Sequence, residues 1–430
     1  MHSPPFADTA PANRAHLLDA TMLWSAEGSG AVRRLLSCKR TCLSALGWRH
    51  TLMAPGVDGP GRIDCGGIPL PAASGYRFVV DRRRAAQLIE RAAPDLIESG
   101  DPYTLGWAAL DAAQRLKVPS IAFCHMHLPA LAARLIAGDG GPSTWRGRWA
   151  ERQAGEYLVR LYAGYDLVLA PSRGLVRELA QLGVQRVRYQ PLGVDCSVFS
   201  PAADDPRWRW RLSQRLQLPP DARLVIYAGR FTAEKRLDLV AEAVRRLGPH
   251  YRLLAVGSGP RPPGGAQVLV LPAEVSSRRV ARLLASCDCF VHAGDQESFG
   301  LSALEAMACG TPVVASAQGG LGELVSGAGT TVESRQPDAW AQAIAAAIDD
   351  GDSQLALTAL QRAQSLHWPH VLAELIDRYS SLLEAGPVDD SSGWSEVVSP
   401  DTPLPAPGWA GQLERQPRHA PARARWPERA

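Results

Sequence analysis

Apolar residues lie along the chain in short continuous runs, and segments with apolar residues at helical spacing separate several of these runs. A short apolar run between turn residues is typical of a strand buried on both faces, and strands that alternate with helices form parallel sheets. The predicted strands of the first half are 21–24, 77–80, 95–98, 120–124 and 167–170. Those of the second half are 222–228, 251–256, 267–271, 289–293 and 311–315. The pattern predicts an α/β protein with two parallel sheets, each covered by helices.

A segment at 189–206 that contains prolines and aspartates separates the two sets of strands and is typical of a hinge. We predict a flexible N-terminus over 1–14, an N-terminal Rossmann-like domain over 15–195, and a C-terminal Rossmann-like domain over 196–385 that ends in a helix. Residues 386–430 hold many prolines and several arginines without periodicity, so we predict that this tail is disordered. Because ligands of such sheets bind beyond the carboxyl ends of the strands, the two domains should face a central cleft.

The composition argues against several classes of protein. Among 430 residues, 46 Lys and Arg nearly balance 43 Asp and Glu, so bulk charge does not indicate nucleic-acid binding. No apolar run reaches the ~18 residues that span a bilayer, and the start of the chain lacks the features of a secretory signal, so we expect a cytoplasmic protein. Eight scattered cysteines fit reduced thiols better than a disulfide framework.

Two glutamates separated by seven residues are the strongest candidates for ligand-binding residues. Glu297 lies in the predicted turn after strand 289–293, and Glu305 lies in a predicted helix that ends near Gly310. Helical spacing places Glu305 beside the apolar stripe of that helix, where a carboxylate needs a partner. Sugar and ribose hydroxyls are good partners, and the backbone N–H groups at the start of the helix can bind a phosphate. The alternative is a pair of ordinary surface glutamates.

Arg230 and Lys235 follow a predicted strand and precede a predicted helix. Gly229 would let a ligand approach the backbone at the end of the strand, and the two cations could lie against a diphosphate. Cations beside the N-terminus of a helix oppose its dipole unless an anion joins them, which favours this interpretation over a solvated basic turn. Gly257 lies in a similar turn after the next strand and adds weak support.

The first half offers two weaker candidates. Gly28 and Gly30 follow the first predicted strand and resemble a dinucleotide-binding turn without its third glycine. A nicotinamide-dependent dehydrogenase would also need an acidic residue about 20 positions later, and 49–53 provides none. His125 lies at the end of a predicted strand, where it would face the glutamates across the cleft. A core or exposed histidine is the alternative, and a metal pair with His127 lacks a third ligand nearby.

Arg82, Arg83 and Arg84 begin a predicted helix, where their charge opposes the helix dipole. Such a cluster indicates a phosphate or an anionic lipid as a partner. A solvated charged face is the commoner alternative.

Taken together, the segments around Arg230 and Glu297 closely resemble the retaining glycosyltransferases of family four, which have the GT-B fold of two Rossmann-like domains. The resemblance is specific over 222–330 and looser over the first half. Two departures concern Leu192, where the family often has asparagine, and Ser29, where the family often has a paired glycine. Neither departure removes a charged catalytic group.

The resemblance implies a nucleotide diphosphate sugar held mainly by the C-terminal domain. Arg230 and Lys235 would neutralise the diphosphate, beside the turns of Gly229 and Gly257. Glu305 would hold the ribose. The backbone amides that would hold the phosphate oxygens are those of Phe299, Gly300 and Leu301.

The resemblance also assigns the groups on either side of the donor. Glu297 would contact the sugar ring, and His125 would lie near the reacting sugar. Gly28 and Gly30 would approach the diphosphate from the opposite side, and the base would lie against 271–275.

We therefore expect a retaining hexosyltransferase that moves a hexose, with mannose as the first guess, to a hydroxyl of a glycan or glycolipid. No cofactor or metal is expected, because Arg230 and Lys235 would do the electrostatic work of a metal ion. A nucleic-acid partner is not expected, and a peripheral contact with the inner membrane face through Arg82, Arg83 and Arg84 is a separate hypothesis. The alternatives from other classes are the dehydrogenase and a sugar-nucleotide-binding protein without turnover.

Overall fold

The computed structural model describes residues 15–24, 31–70, 76–138, 143–273, 276–349 and 353–387, all within one compact unit. The predicted N-terminal segment 1–14 lies outside the described residues, as do Gly28 and Gly30. Of the predicted tail, only Gly386 and Pro387 are described.

The first half of the chain forms a seven-stranded parallel sheet among the described residues. The strands of this half are β1 (His16–Ala20), β2 (Arg49–Ala54), β3 (Arg62–Asp64), β4 (Ile68–Pro69), β5 (Arg77–Phe78), β6 (Leu96–Ser99), β7 (Ser120–Phe123), β8 (Leu167–Ala170) and β9 (Val187–Tyr189). The order in the sheet is β3-β2-β1-β6-β7-β8-β9, and β4 and β5 form a separate antiparallel pair. The helices are α1 (Ala31–Ala45), α2 (Arg82–Ala92), α3 (Thr104–Leu116), α4 (Leu128–Ala137), α5 (Trp145–Tyr162) and α6 (Arg173–Leu182).

The second half forms a six-stranded parallel sheet in the order β12-β11-β10-β13-β14-β15. Its strands are β10 (Arg223–Ala228), β11 (Tyr251–Val256), β12 (Val268–Leu271), β13 (Cys289–His292), β14 (Val313–Ser316) and β15 (Thr330–Val332). Its helices are α7 (Pro206–Arg215), α8 (Leu237–Arg246), α9 (Ser277–Ala285), α10 (Leu301–Ala308), α11 (Gly319–Val325), α12 (Pro337–Asp349), α13 (Ser353–Ser365) and α14 (Trp368–Ala385). Two parallel sheets within an α/β fold confirm the predicted fold class.

One strand prediction in the first half was wrong, and another was right only in part. The first strand is His16–Ala20 rather than 21–24, and its residues are all buried. His16 and Asp19 made this run look polar, but both side chains have partners inside the protein. Of the predicted strand 77–80, only Arg77 and Phe78 form a strand, which pairs antiparallel with β4 outside the seven-stranded sheet. Both residues are exposed.

A buried ion network lies on the α1 side of the first sheet. Lys39 Nζ lies 2.9 Å from Asp19 Oδ1 and 2.6 Å from Glu98 Oε1, and His50 Nε2 lies 2.6 Å from Asp19 Oδ2. Burial alone would raise the pKa of Asp19, but Lys39 and His50 outweigh it and lower that pKa. Burial raises the pKa of Glu98 to about 7 despite Lys39. Each charge in this network depends on the others for compensation.

The last helix returns to the first half of the chain. Tyr379 of α14 donates a hydrogen bond to Glu98 Oε2 at 2.5 Å, and Gln190 Nε2 donates to the Val371 carbonyl at 3.2 Å. The domain limits at 195 and 385, drawn from sequence, stay a prediction, and α14 ties both halves together. Among the described residues, none of the helices is both long enough and apolar enough to span a bilayer.

Candidate active site

Glu297 and Lys235 come together at the carboxyl ends of β13 and β10. Lys235 Nζ donates to Glu297 Oε1, and the two side chains are 12% and 20% exposed. Burial by itself would raise the pKa of Glu297, but Lys235, followed by His292 and Arg230, lowers it to about 2. Glu297 is therefore a carboxylate at neutral pH, and it holds the ammonium group at the edge of the sheet.

His292 was not identified as a functional residue from the sequence. It ends β13, is buried, and its Nε2 lies 3.5 Å from Glu297 Oε1. Its Nδ1 accepts a hydrogen bond from the Gly294 amide at 3.1 Å, so the neutral ring carries its proton on Nε2, toward Glu297. Burial lowers the pKa of His292 to about 4, although Glu297 opposes this. A histidine at a strand end beside the candidate glutamate was the signal available in the sequence.

Arg230 and the glycine turns lie at the same edge of the second sheet, which we call the rim, where the carboxyl ends of β10, β11 and β13 are found. Arg230 is exposed two residues after the end of β10, and its carbonyl accepts a hydrogen bond from the Tyr227 hydroxyl at 2.8 Å. Gly257 has φ +156°, and a Cβ atom there would collide with the carbonyl oxygen of Gly229. The two turns can therefore pack this closely only because position 257 is a glycine, whereas a Cβ atom on Gly229 would meet the Tyr227 hydroxyl at 2.6 Å.

Glu305 is buried within α10 and has a partner from the other half of the chain. Its Oε1 forms an ion pair with Arg34 of α1. The Arg34 guanidinium also lies 5.7 Å from the centre of the Phe199 ring, and burial lowers the pKa of Arg34 to about 10. A buried carboxylate needs such a cation when no ligand is bound. Arg34 carried no spacing signal, because its ion pair with Glu305 joins two helices that are distant in sequence.

The start of α10 presents backbone N–H groups without a side-chain cap. Gly300 precedes the helix with φ +105°, and no side chain among the described residues caps the helix there. A Cβ atom on Gly300 would lie 2.7 Å from Leu321 Cδ1. Phe299 is buried in the core, whereas Leu301 is partly exposed. Uncapped amides at a helix N-terminus suit an anion.

His125 reaches the same place from the first half. Ser298 donates a hydrogen bond from its Oγ to the His125 carbonyl at 2.8 Å. The imidazole stacks on Phe123 with ring centres 4.2 Å apart. Burial, followed by the charge of Lys39, lowers the pKa of His125 to about 3, so the ring is neutral at neutral pH. The loops after β7 and β13 therefore meet at this position.

Several predicted features lie away from Glu297 and Lys235 or outside the described residues. Of the predicted base-binding stretch 271–275, the last two residues are not described. His127 caps α4, because its Nδ1 accepts from the Ala130 amide at 2.9 Å, and its Nε2 lies 2.8 Å from Glu178. No group of three or more His, Cys, Asp or Glu side chains suited to a metal ion occurs in the described part of the chain.

Two known families match successive parts of the chain. Residues 209–363 match the family described as glycosyl transferases group 1, and residues 29–198 match glycosyltransferase family 4. A D-inositol 3-phosphate glycosyltransferase of Xylanimonas cellulosilytica is 32% identical over 304 residues, which cover 66% of this chain and 70% of that protein. A GDP-mannose-dependent alpha-mannosyltransferase of Mycobacterium tuberculosis is 30% identical over 300 residues, which cover 67% of this chain and 73% of that protein.

Solved structures share the fold at low sequence identity. Sucrose-phosphate synthase from Thermosynechococcus elongatus matches with a TM-score of 0.68 at 21% identity, over 87% of this chain and 100% of that chain. HepE of Anabaena, solved in complex with UDP and glucose, matches with a TM-score of 0.67 at 18% identity, over 86% of this chain and 100% of that chain.

Proposed function

Because the chain belongs to glycosyltransferase family 4 and is a retaining glycosyltransferase of the GT-B fold, we propose that the rim described above binds a nucleotide diphosphate sugar and transfers its hexose to an acceptor hydroxyl. The observation that carries this proposal is the contact of Lys235 with Glu297 beside the uncapped start of α10. This arrangement offers a cation and amides to a diphosphate, and a carboxylate to a sugar.

The same groups would bind the donor. Arg230 and Lys235 would bind the diphosphate together with the amides of 299–301, and Glu305 would release Arg34 to accept hydrogen bonds from ribose hydroxyls. The relatives support mannose as the hexose and GDP as the nucleotide, because several are GDP-mannose-dependent mannosyltransferases. The dehydrogenase alternative is not favoured, since the relatives are glycosyltransferases.

The chemistry follows from the charges that develop. As the bond between sugar C1 and the phosphate oxygen breaks, negative charge grows on the diphosphate, where Arg230, Lys235 and the α10 amides would stabilise it. The acceptor oxygen forms its bond to C1 on the face that the nucleotide is leaving, and its proton passes to a leaving phosphate oxygen. The configuration is retained without a separate strong base. We propose that no metal ion is needed, because the two cations supply the positive charge.

His125 would assist as a neutral group. Its pKa of about 3 keeps the imidazole uncharged at neutral pH. A neutral ring can hydrogen-bond a sugar hydroxyl without placing a positive charge beside the sugar, which itself becomes positive as the bond breaks.

The acceptor is proposed to be a glycan or a lipid-linked glycan, and a peripheral contact with the inner membrane face is part of this proposal. The arginines at the start of α2 differ in their surroundings. Arg82 pairs with Asp111 at 2.5 Å, and Asp81 caps the helix by accepting from the Arg84 amide at 2.9 Å. These contacts offset part of the unfavourable charge at the helix start.

The membrane contact would therefore rest on Arg83 and Arg84 together with apolar neighbours. Val80 and Ile68 are 62% and 61% exposed in the same region of the chain. Sedimentation with vesicles tests this contact, and we expect more bound protein as the anionic lipid content rises. Binding that does not depend on anionic lipid would contradict it.

Thermal stabilisation by a panel of nucleotide sugars tests the donor. We expect GDP-mannose to stabilise the protein, since a ligand at 100 times its dissociation constant contributes about 2.7 kcal/mol.

The role of Lys235 is tested by measuring the transfer rate. Lys235→Met should lower this rate by about 10²–10³-fold, and the matched control Arg245→Met, which changes an exposed arginine of α8, should not. A wild-type protein that no nucleotide sugar stabilises would contradict the proposal, and binding without turnover would identify a sugar-nucleotide-binding protein.

A further inference from the structure

Asp295, two residues before Glu297, holds three arginine side chains around one carboxylate. Arg134 of α4 lies 3.4 Å from Asp295 Oδ1, and Arg335 lies 3.6 Å from Asp295 Oδ2. Arg236, which directly precedes α8, also pairs with Oδ2. These guanidinium groups come from both halves of the chain, because Arg134 belongs to the first half, whereas Arg236 and Arg335, the latter between β15 and α12, belong to the second. We call these four residues the Asp295 cluster.

The charges of the Asp295 cluster do not balance. Three cations face one carboxylate, and no other carboxylate among the described residues lies within ion-pair distance of them. Burial lowers the pKa of Arg236, Asp295 opposes this, and the positive charges of Arg335 and Arg134 lower it further. The cluster would therefore be relieved by one more anion.

The backbone at Arg236 adds a second cost. Arg236 has φ +51° and ψ +46°, a left-handed conformation that non-glycine residues rarely adopt. It also occupies the N-cap position of α8 without a side-chain cap bond, so a cation lies at the positive end of the helix dipole. A glycine or an asparagine would satisfy this position locally. The arginine is therefore better explained by what its guanidinium binds than by the needs of the helix.

A structural bridge between the two halves does not by itself explain the cluster. The contact of Arg134 with Asp295 would provide such a bridge. Arg236 and Arg335 then add mutual repulsion without adding a second carboxylate. Exposure supports a binding role, because Arg134 and Arg236 are 22% and 20% exposed while Arg335 is 75% exposed. Two of the arginines are thus largely buried, and the third is open to solvent.

We propose that Arg134, Arg236 and Arg335 form a binding site for a phosphate group of the acceptor, with Asp295 holding the guanidinium groups in position. Planar guanidinium groups match phosphate oxygens in pairs, and each keeps N–H donors beyond the one that contacts Asp295. The phosphate belongs to the acceptor because Arg134 lies on α4, which begins three residues after His125. The donor diphosphate has its own proposed cations, Arg230 and Lys235. This inference rests on the proposed function, since it concerns the second substrate of the same site.

Calorimetric titration with glycerol phosphate, in protein saturated with GDP so that the diphosphate site is filled, tests the proposal. Arg335→Ala and Arg236→Gly should each raise the dissociation constant about tenfold. Arg335 is exposed and glycine suits the left-handed backbone at 236, so neither change should unfold the protein. The matched control is Arg245→Ala, which removes an exposed arginine of α8 that pairs with Glu242.

Each outcome decides the question. Weaker phosphate binding in the two cluster variants, with the control unchanged, supports the proposal, and an equal dissociation constant in all four proteins overturns it. An equal loss in the control would mean unspecific attraction and would also overturn it. Vesicles with and without phosphatidylinositol then distinguish a lipid headgroup from a soluble phosphate ester. If GDP does not bind the wild-type protein, the proposed function fails, while the same titration without GDP still decides the role of the arginines.

Discussion

The protonation states of Glu297 and His292 are set by burial and by charged neighbours, and Lys235 is a neighbour that is distant in sequence. Glu297 stays ionised because Lys235, 62 positions earlier, lies against it. His292 stays neutral because it is buried behind Glu297. Sequence patterns identified the glutamate and the lysine, since each follows a predicted strand. The role of Arg34 depends on a contact that no spacing encodes, whereas His292 was missed although it lies at a strand end beside Glu297.

His292 should make the stability of the protein depend on pH. Its folded-state pKa of about 4 lies below the ordinary value of 6.5, so unfolding takes up a proton in this window, and stability present above pH 6.5 is lost as the pH falls toward 4. At pH 5 this loss is about 2 kcal/mol. Urea unfolding at neutral pH and at pH 5 should show a smaller decrease for His292→Gln than for the wild type.

The comparison of the wild type with His292→Gln isolates the contribution of His292, because Glu98 and the other groups with shifted pKa values are present in both proteins. His250→Gln, a change of an exposed histidine paired with Asp221, is the matched control and should keep the wild-type pH dependence. An unchanged pH dependence in His292→Gln would contradict the assignment of a buried neutral imidazole.

Among the elements, α14 packs against a partner that its position in the chain does not predict. The helix was expected near the end of the second half, and it lies there in sequence, at Trp368–Ala385. Its Tyr379 nevertheless lies over the first sheet, with Lys39 Nζ 5.6 Å from the centre of its ring. An apolar stripe on a helix predicts that one face is buried but does not say against which partner.

Tyr379→Phe tests the contact of α14 with the first sheet. The change removes the hydroxyl that donates to Glu98 and leaves a buried carboxylate oxygen without that donor, so we expect the free energy of unfolding to fall by about 1–3 kcal/mol. Chemical denaturation measures the loss. Tyr251→Phe, at the partly exposed start of β11, is the control and should change stability by less than about 0.5 kcal/mol. Equal stability of the two variants would argue against a structural role for the Glu98 contact.

At the scale of the whole molecule, polar contacts join the two halves at several places. Glu323 of α11 accepts hydrogen bonds from the backbone amides of Arg173 and Gly174 at 2.9 and 2.8 Å, and so caps α6 of the first half. Glu305 pairs with Arg34 across the same boundary. These contacts place a carboxylate of one half at a positive group of the other, which fixes where the two sets of loops meet.

Glu323→Ala should therefore weaken the first half although the residue belongs to the second. Two amides at the start of α6 lose their acceptor, so we expect a decrease of about 1–2 kcal/mol in the free energy of unfolding and faster hydrogen exchange at 173 and 174. Hydrogen exchange resolved by residue measures both halves at once. The exposed Glu333→Ala serves as the control. Unchanged exchange in α6 would contradict the cap.

The sequence by itself determined the fold class and the rim of the candidate site. Buried strands and amphipathic helices follow from the local order of apolar residues, and the ends of parallel strands share one edge of a sheet, so Glu297, Lys235 and His125 could be placed together. It misplaced β1, because His16 and Asp19 look exposed until their buried partners are known. Only the tertiary structure decided which groups pair across the two halves, such as Arg34 with Glu305 and Arg134 with Asp295. The reason is physical: side-chain pairing depends on distances set by the packing of whole helices and sheets, and local sequence carries no record of those distances.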